Sequence, residues 1–149
     1  MPTLATAFWM LLGLLGGASL VVQAILNSGL RERLQSVSWA GFVSYLGGTL
    51  AMLVVLAATR PPLPLAVARG IPPPWWLGGL FGAAYLAIAI VLLPRLGAAT
   101  VVALVVAGQF TCSLLCDHFG WMGVPVHLLD VRRVVGALLI VGGVVLVRA

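Results

Sequence analysis

Five runs of apolar residues, separated by proline, glycine or charge, set the rhythm of the chain. They cover about residues 4–26, 37–59, 75–93, 97–116 and 134–147. A helix needs roughly 20 apolar residues to cross the hydrocarbon core of a bilayer. The first four runs therefore each predict a transmembrane helix. The fifth holds 14 residues between Arg133 and Arg148, about 21 Å of helix rise. Snorkelling arginines at its ends, or a start near Leu128, would let it reach across. Four crossings is the alternative; five is the expectation.

The breaks fall where this reading needs them. The segment "RPPLPLAVARGIPPP" contains six of the nine prolines and predicts the longest loop, residues 60–74. Pro94 and Gly97 bracket a tight connection between the third and fourth runs. Trp9, Trp39, Trp75 and Trp76 lie near predicted span ends and Trp121 just beyond one, the placement of an interfacial aromatic belt. No internal domain boundary or repeat is visible, so a single five-helix transmembrane domain over residues 1–149 is expected.

Composition agrees. The chain is 62% hydrophobic and 7% charged, with a mean hydropathy of +1.20. A soluble domain carries about 25% charged residues, so the solvent of this chain is largely lipid. The apolar N-terminal run lacks a basic leader and is too long for a signal peptide's core, so cleavage is not expected. Cys112 and Cys116 stand at i, i+4 in one apolar run and read as small core residues, not as a disulfide.

The charge pattern is more informative. The net charge of +5 comes from eight arginines and no lysine. Five crossings would put Arg60, Arg69, Arg132 and Arg133 on one side and Arg31, Arg33, Arg95 and Arg148 on the other, four against four. Positive charge in cytoplasmic loops normally orients a membrane protein; here it gives no preference. Chance balance would explain this. The sharper explanation is dual topology, with copies inserted both ways pairing into a ten-helix assembly like a transporter built of inverted repeats. Glycine pairs Gly13/Gly17 and Gly78/Gly82, with the Ala99, Ala103, Ala107 stripe, would permit the close helix packing involved.

Polar groups inside the spans stand out against this background. Ser19, Gln23 and Asn27 recur at i, i+4, i+8, and so do Gln109, Ser113 and Asp117. Tyr85 sits mid-run, where its hydroxyl needs a partner. These groups either bond across helices to hold the bundle or line a path for a solute; Asn27 could instead end the first helix with Gly29. Asp117 is poorly placed at a helix C-terminus, where the dipole is already negative. It reads either as a proton-coupling carboxylate with His118 as relay, or as part of a solvated loop. His127, Asp130, Arg132 and Arg133 read as interfacial anchors.

Other chemistries find little support. The chain shows no paired carboxylates, no nucleophile with a base at readable spacing and no phosphate loop, so an enzyme is not expected. No metal or other cofactor is expected, and nothing resembles a nucleic-acid-binding patch.

The segments "VVQAILNSGLRE", "PWWLGGLFGAAYL", "LGAATVVALVVAGQFTCSLLCDHFGWMG" and "RRVVGALLIVGGVVL" together resemble the YdcZ-type membrane proteins of the drug/metabolite transporter superfamily. The resemblance covers nearly the whole chain. It implies five-helix subunits that occur as dual-topology homodimers, as pairs of oppositely oriented homologues, or fused in one chain. Carried over by motif, Gln23, Asn27, Tyr85, Gln109, Asp117 and His118 are the candidate residues. Related small multidrug exporters use a glutamate in the first helix; none stands there here, so that cation-coupled mechanism does not transfer.

The expectation is an all-α, multi-pass protein of the plasma (inner) membrane, an antiparallel homodimer moving a small molecule by alternating access. Gln23, Asn27, Tyr85, Gln109 and Ser113 are the path candidates, and Asp117 and His118 the coupling candidates. A passive dual-topology pore and a non-transporting assembly subunit are the alternatives.

Overall fold

Ser36 sets the first corner of the fold. In the computed structural model, which describes residues 4–148, Ser36 ends the first hairpin turn and caps the helix that follows. Helix α1 (Leu4–Leu34) and helix α2 (Val37–Thr59) are joined by Gln35, at φ 50°, and Ser36. The Ser36 hydroxyl accepts from the Trp39 backbone N–H at 3.3 Å, which satisfies one of the donors a helix start leaves open. The Gln35 amide donates to the Glu32 carbonyl at 2.5 Å, closing the end of α1.

Helix α1 is longer than its apolar run. It continues through Asn27, Gly29 and "LRERL", so Asn27 lies inside the helix and does not cap it. Leucine, arginine and glutamate are strong helix formers, and the polar end projects the helix past the apolar segment. Arg60, at φ 46°, terminates α2. The proline-rich stretch holds one short helical turn, α3 (Leu65–Ala68), and a 3-10 turn over Pro73–Leu77. Helix α4 (Gly78–Leu96) then carries Pro94 in its last turn.

The chain divides into two compact units, residues 1–94 and 95–149. In the first, Ala40 of α2 packs with Leu86 and Ile90 of α4, flanked by Leu30 and Val37. Little else is enclosed: most side chains along α1 and α2 are exposed, among them Leu14 at 73%. In water such a surface would aggregate; in lipid it is the ordinary outside of a helix.

In the second unit, helix α5 (Ala98–Phe119) and helix α6 (Val131–Arg148) form a hairpin. Gly97, at φ 77°, precedes α5, and Gly120, at φ 63°, ends it. A Cβ on Gly120 would lie 2.7 Å from Val126 Cγ2, so both the left-handed backbone and the space require glycine. Asp130 starts α6 by accepting the Arg133 N–H at 2.8 Å.

The described residues contain no strand, and four helical segments are long and apolar enough to cross a membrane: Leu4–Leu34, Val37–Thr59, Pro73–Leu96 and Ala98–Phe119. Helix α6 has 18 residues, beginning at Val131. That is about 27 Å of rise, with Arg132 and Arg133 in its first turn.

Candidate functional site

In the first unit, an open-sided groove of about 570 Å³ runs between α1, α2 and α4. Leu20 and Gln23 line it from α1, and Tyr85 and Leu86 from α4. Helix α2 supplies more of the wall, through Ser44, Tyr45, Thr49 and Met52. The spacing explains this: Ser44 with Gly48 and Tyr45 with Thr49 are i, i+4 pairs, so they share a side of α2.

The groove's shape depends on one close approach. Tyr45 reaches over Gly82, where an added Cβ would lie 2.6 Å from the tyrosine hydroxyl. Gly82 therefore lets the Tyr45 ring lie against α4. Gly78, its partner in the glycine pair, has nothing within 4 Å. The same is true of Gly13 and Gly17.

Asn27 stands beside the groove. It is buried, and its Nδ2 donates to Ser44 Oγ at 3.1 Å. Polar pairs between membrane helices contribute about 0.6 kcal/mol on average and up to ~1.7, so this bond is a modest clamp between α1 and α2. Thr49 Oγ1 donates to the Tyr45 carbonyl at 2.9 Å and keeps its lone pairs. The Gln23 amide and the hydroxyls of Tyr45 and Tyr85 have no hydrogen-bond partner among the described residues, and all three side chains line the groove.

The candidates of the second unit have different surroundings. Gln109 is exposed in the middle of α5 and bonds to none of the described residues. Ser113 donates to the Phe110 carbonyl at 3.0 Å, and Thr111 to the Ala107 carbonyl at 2.8 Å. These are internal helix bonds. A second groove, about 540 Å³, lies between α5 and α6 and is lined mainly by apolar residues, including Leu104, Ala107, Leu115 and Val141.

Asp117 and His118 fasten the loop between α5 and α6. Arg133 Nη1 lies 3.1 Å from Asp117 Oδ2. The Asp117 carbonyl accepts from the His127 N–H at 2.8 Å, and His118 Nδ1 accepts from the Leu129 N–H at 3.2 Å. Asp130 and Arg133, read from sequence as anchors, are thus a helix cap and an ion-pair partner. Phe119 stacks on Trp121 at 5.2 Å between centroids, packing the start of the loop.

Ser44, Tyr45 and Thr49 join the groove beyond the candidates expected from sequence. Their signal was present, since "SYLGGT" puts three hydroxyls in the middle of an apolar run.

Comparison with known families decides the class. Residues 8–146 match the model of the drug/metabolite transporter family described as "Putative inner membrane exporter, YdcZ". The chain belongs to the YdcZ family. A search of curated proteins and a search of solved structures each found no match. The match and the long apolar helices identify a multi-pass inner membrane protein. The YdcZ description is of exporters, not of enzymes, and it supports a membrane transporter acting on a small molecule within the lipid bilayer.

Proposed function

We propose that this YdcZ protein moves a small molecule across the inner membrane by alternating access, as an antiparallel homodimer. The groove of α1, α2 and α4 is its substrate-contacting surface. One observation carries the reading: Gln23, Ser44, Tyr45, Thr49 and Tyr85 gather in a single open groove on helices whose surface is mostly apolar. Exposing uncompensated polar groups to lipid is costly. A groove that water or a solute enters removes that cost.

The finer parts rest on different supports. Helix α6, at 18 residues with arginines in its first turn, suits a fifth crossing. Five crossings balance the arginines four against four, which favours insertion in both orientations. Gln109 is proposed as a further substrate contact, because its mid-helix amide is free among the described residues. Ser113 is bonded within its own helix and is a weaker path candidate. Asn27 is proposed to hold the groove wall. Asp117 and His118 are proposed to fasten one end of the α5–α6 hairpin, and proton coupling through Asp117 would require Arg133 to release it.

The test is solvent access. With Cys112 and Cys116 replaced by alanine, Thr49→Cys would be treated in membranes with an uncharged, sugar-linked methanethiosulfonate that does not enter lipid, beside Leu14→Cys as a lipid-facing control. Labelling at Thr49→Cys but not at Leu14→Cys is expected. Equal silence at both positions would mean that lipid fills the groove, and the transport reading would lose its site.

A further inference from the structure

Given that the α1–α2–α4 groove is where substrate binds, the character of its wall specifies what it takes. We infer that the groove selects an uncharged molecule with an apolar body and an amide or hydroxyl group, and discriminates against both cations and anions.

Every polar group on the wall is neutral. Gln23 offers an amide, Ser44 and Thr49 aliphatic hydroxyls, and Tyr45 and Tyr85 phenolic hydroxyls. The charged residues of the same helix, Arg31, Glu32 and Arg33, follow Gln23 by eight residues or more, about 12 Å along the axis. A charged solute in the groove would therefore give up its hydration without meeting a counter-ion. That loss dominates recognition in a low-dielectric setting. The tyrosine rings could attract a cation through their faces, but such contacts return only a fraction of an uncompensated ion's hydration.

The hydrogen-bond inventory narrows the class further. Ser44 Oγ already accepts from Asn27 and has its own hydrogen left to give. Thr49 Oγ1 gives its hydrogen to the Tyr45 carbonyl and retains acceptor capacity. Gln23, Tyr45 and Tyr85 can each donate and accept. A ligand with a donor and an acceptor close together satisfies such a mixed wall; one with donors or acceptors alone does not. Leu20, Met52, Leu86 and the tyrosine rings supply apolar surface for the rest of the molecule.

Three probes of one shape separate the possibilities: indole-3-acetamide (neutral), tryptamine (cation) and indole-3-acetate (anion). Their binding to the purified protein in lipid nanodiscs at pH 7 would be measured by calorimetry, with empty nanodiscs subtracted for partitioning. Indole-3-acetamide is expected to bind at least tenfold more tightly than either charged probe, and Gln23→Leu to weaken it at least tenfold. Tryptamine or indole-3-acetate binding as well as the amide, while still sensitive to Gln23→Leu, would overturn the neutral-substrate inference and leave the groove as the site. Binding unchanged by both Gln23→Leu and Tyr85→Phe would show that the groove is not the site, and both readings would fall. Silence from all three probes would overturn the inferred class.

Discussion

Arg133, in the first turn of α6, holds Asp117, in the last turn of α5, with Nη1 3.1 Å from Oδ2. Each residue is misplaced for its own helix. An acid at a helix C-terminus and a base at an N-terminus both oppose the macrodipole, by about 0.3–1 kcal/mol each. In an antiparallel hairpin the two ends meet, so each charge lies beside the dipole end that its partner's helix supplies. The pair corrects both misfits and fixes the loop between them.

The two side chains are about one-third exposed, 32% for Arg133 and 35% for Asp117, so screening limits their coupling to about 0.5–1 kcal/mol. Asp117→Asn and Arg133→Gln should each lower the unfolding free energy in detergent by about that amount. The double variant should cost less than the two added together. The informative variant is the swap, Asp117→Arg with Arg133→Asp, which restores the pair and sets both charges in accord with their own helices. It should match the native chain in thermal unfolding, because each charge then suits its own helix and opposes the end of the other. A swap less stable than either single variant would show that the pair is not what fixes this corner.

Asn27 and Ser44 form the corresponding tie in the first unit. A double-mutant cycle with Asn27→Ala and Ser44→Ala should give a coupling of about 0.6 kcal/mol, and not above ~1.7. Asn27→Ala alone should cost more than Ser44→Ala, since the buried asparagine also leaves a cavity. A coupling indistinguishable from zero would mean that the bond does not hold α1 against α2.

The helices were largely legible in the sequence because hydrocarbon selects for one property, and four apolar runs of about the right length carry it plainly. The polar end of α1 was not, because "RERL" is invisible to an apolar count although it propagates a helix well. That extension is what turns Asn27 from a possible cap into an interior side chain bonded to α2. The same rule of polar groups in apolar runs picks out Gln23 and Tyr85, and both line the groove. Applied to "SYLGGT" it would have added Ser44, Tyr45 and Thr49. The partner of Asp117 could not be read. Arg133 lies 16 residues on, and only the loop's left-handed glycines and its bonds to His127 and Leu129 bring it back.

Gly82 and Gly78 make a matched comparison on α4. Alanine at Gly78 meets open space and should stabilise the helix by up to about 1 kcal/mol. Alanine at Gly82 would press on the Tyr45 hydroxyl from 2.6 Å; that hydroxyl is the free end of a 41%-exposed side chain beside an open groove, so displacing it should cost toward the low end of about 1–3 kcal/mol. Removing the hydroxyl should relieve most of the clash, so Tyr45→Phe should rescue Gly82→Ala. The check is a cycle of thermal unfolding measurements on the four chains. Equal effects at Gly78 and Gly82 would mean that Tyr45 does not lie over α4.

Orientation tests the proposed assembly most directly, because it depends on whether α6 crosses. With five crossings the arginines divide four against four; without the fifth, Arg148 joins Arg60, Arg69, Arg132 and Arg133, and the balance becomes five against three. The second distribution would orient the chain; the first would not. Two single-cysteine reporters distinguish them in a background where Cys112 and Cys116 are alanine: Val67→Cys in the proline-rich loop, and a cysteine appended after Ala149. Intact cells would be labelled with an impermeant thiol reagent before and after lysis. Dual insertion predicts that each reporter is about half labelled outside and fully labelled after lysis. All-or-none labelling with the reporters on opposite sides would retain the fifth crossing and require an oppositely oriented homologue as partner. All-or-none labelling with both on one side would remove the fifth crossing, and with it the arginine balance on which the antiparallel homodimer rests.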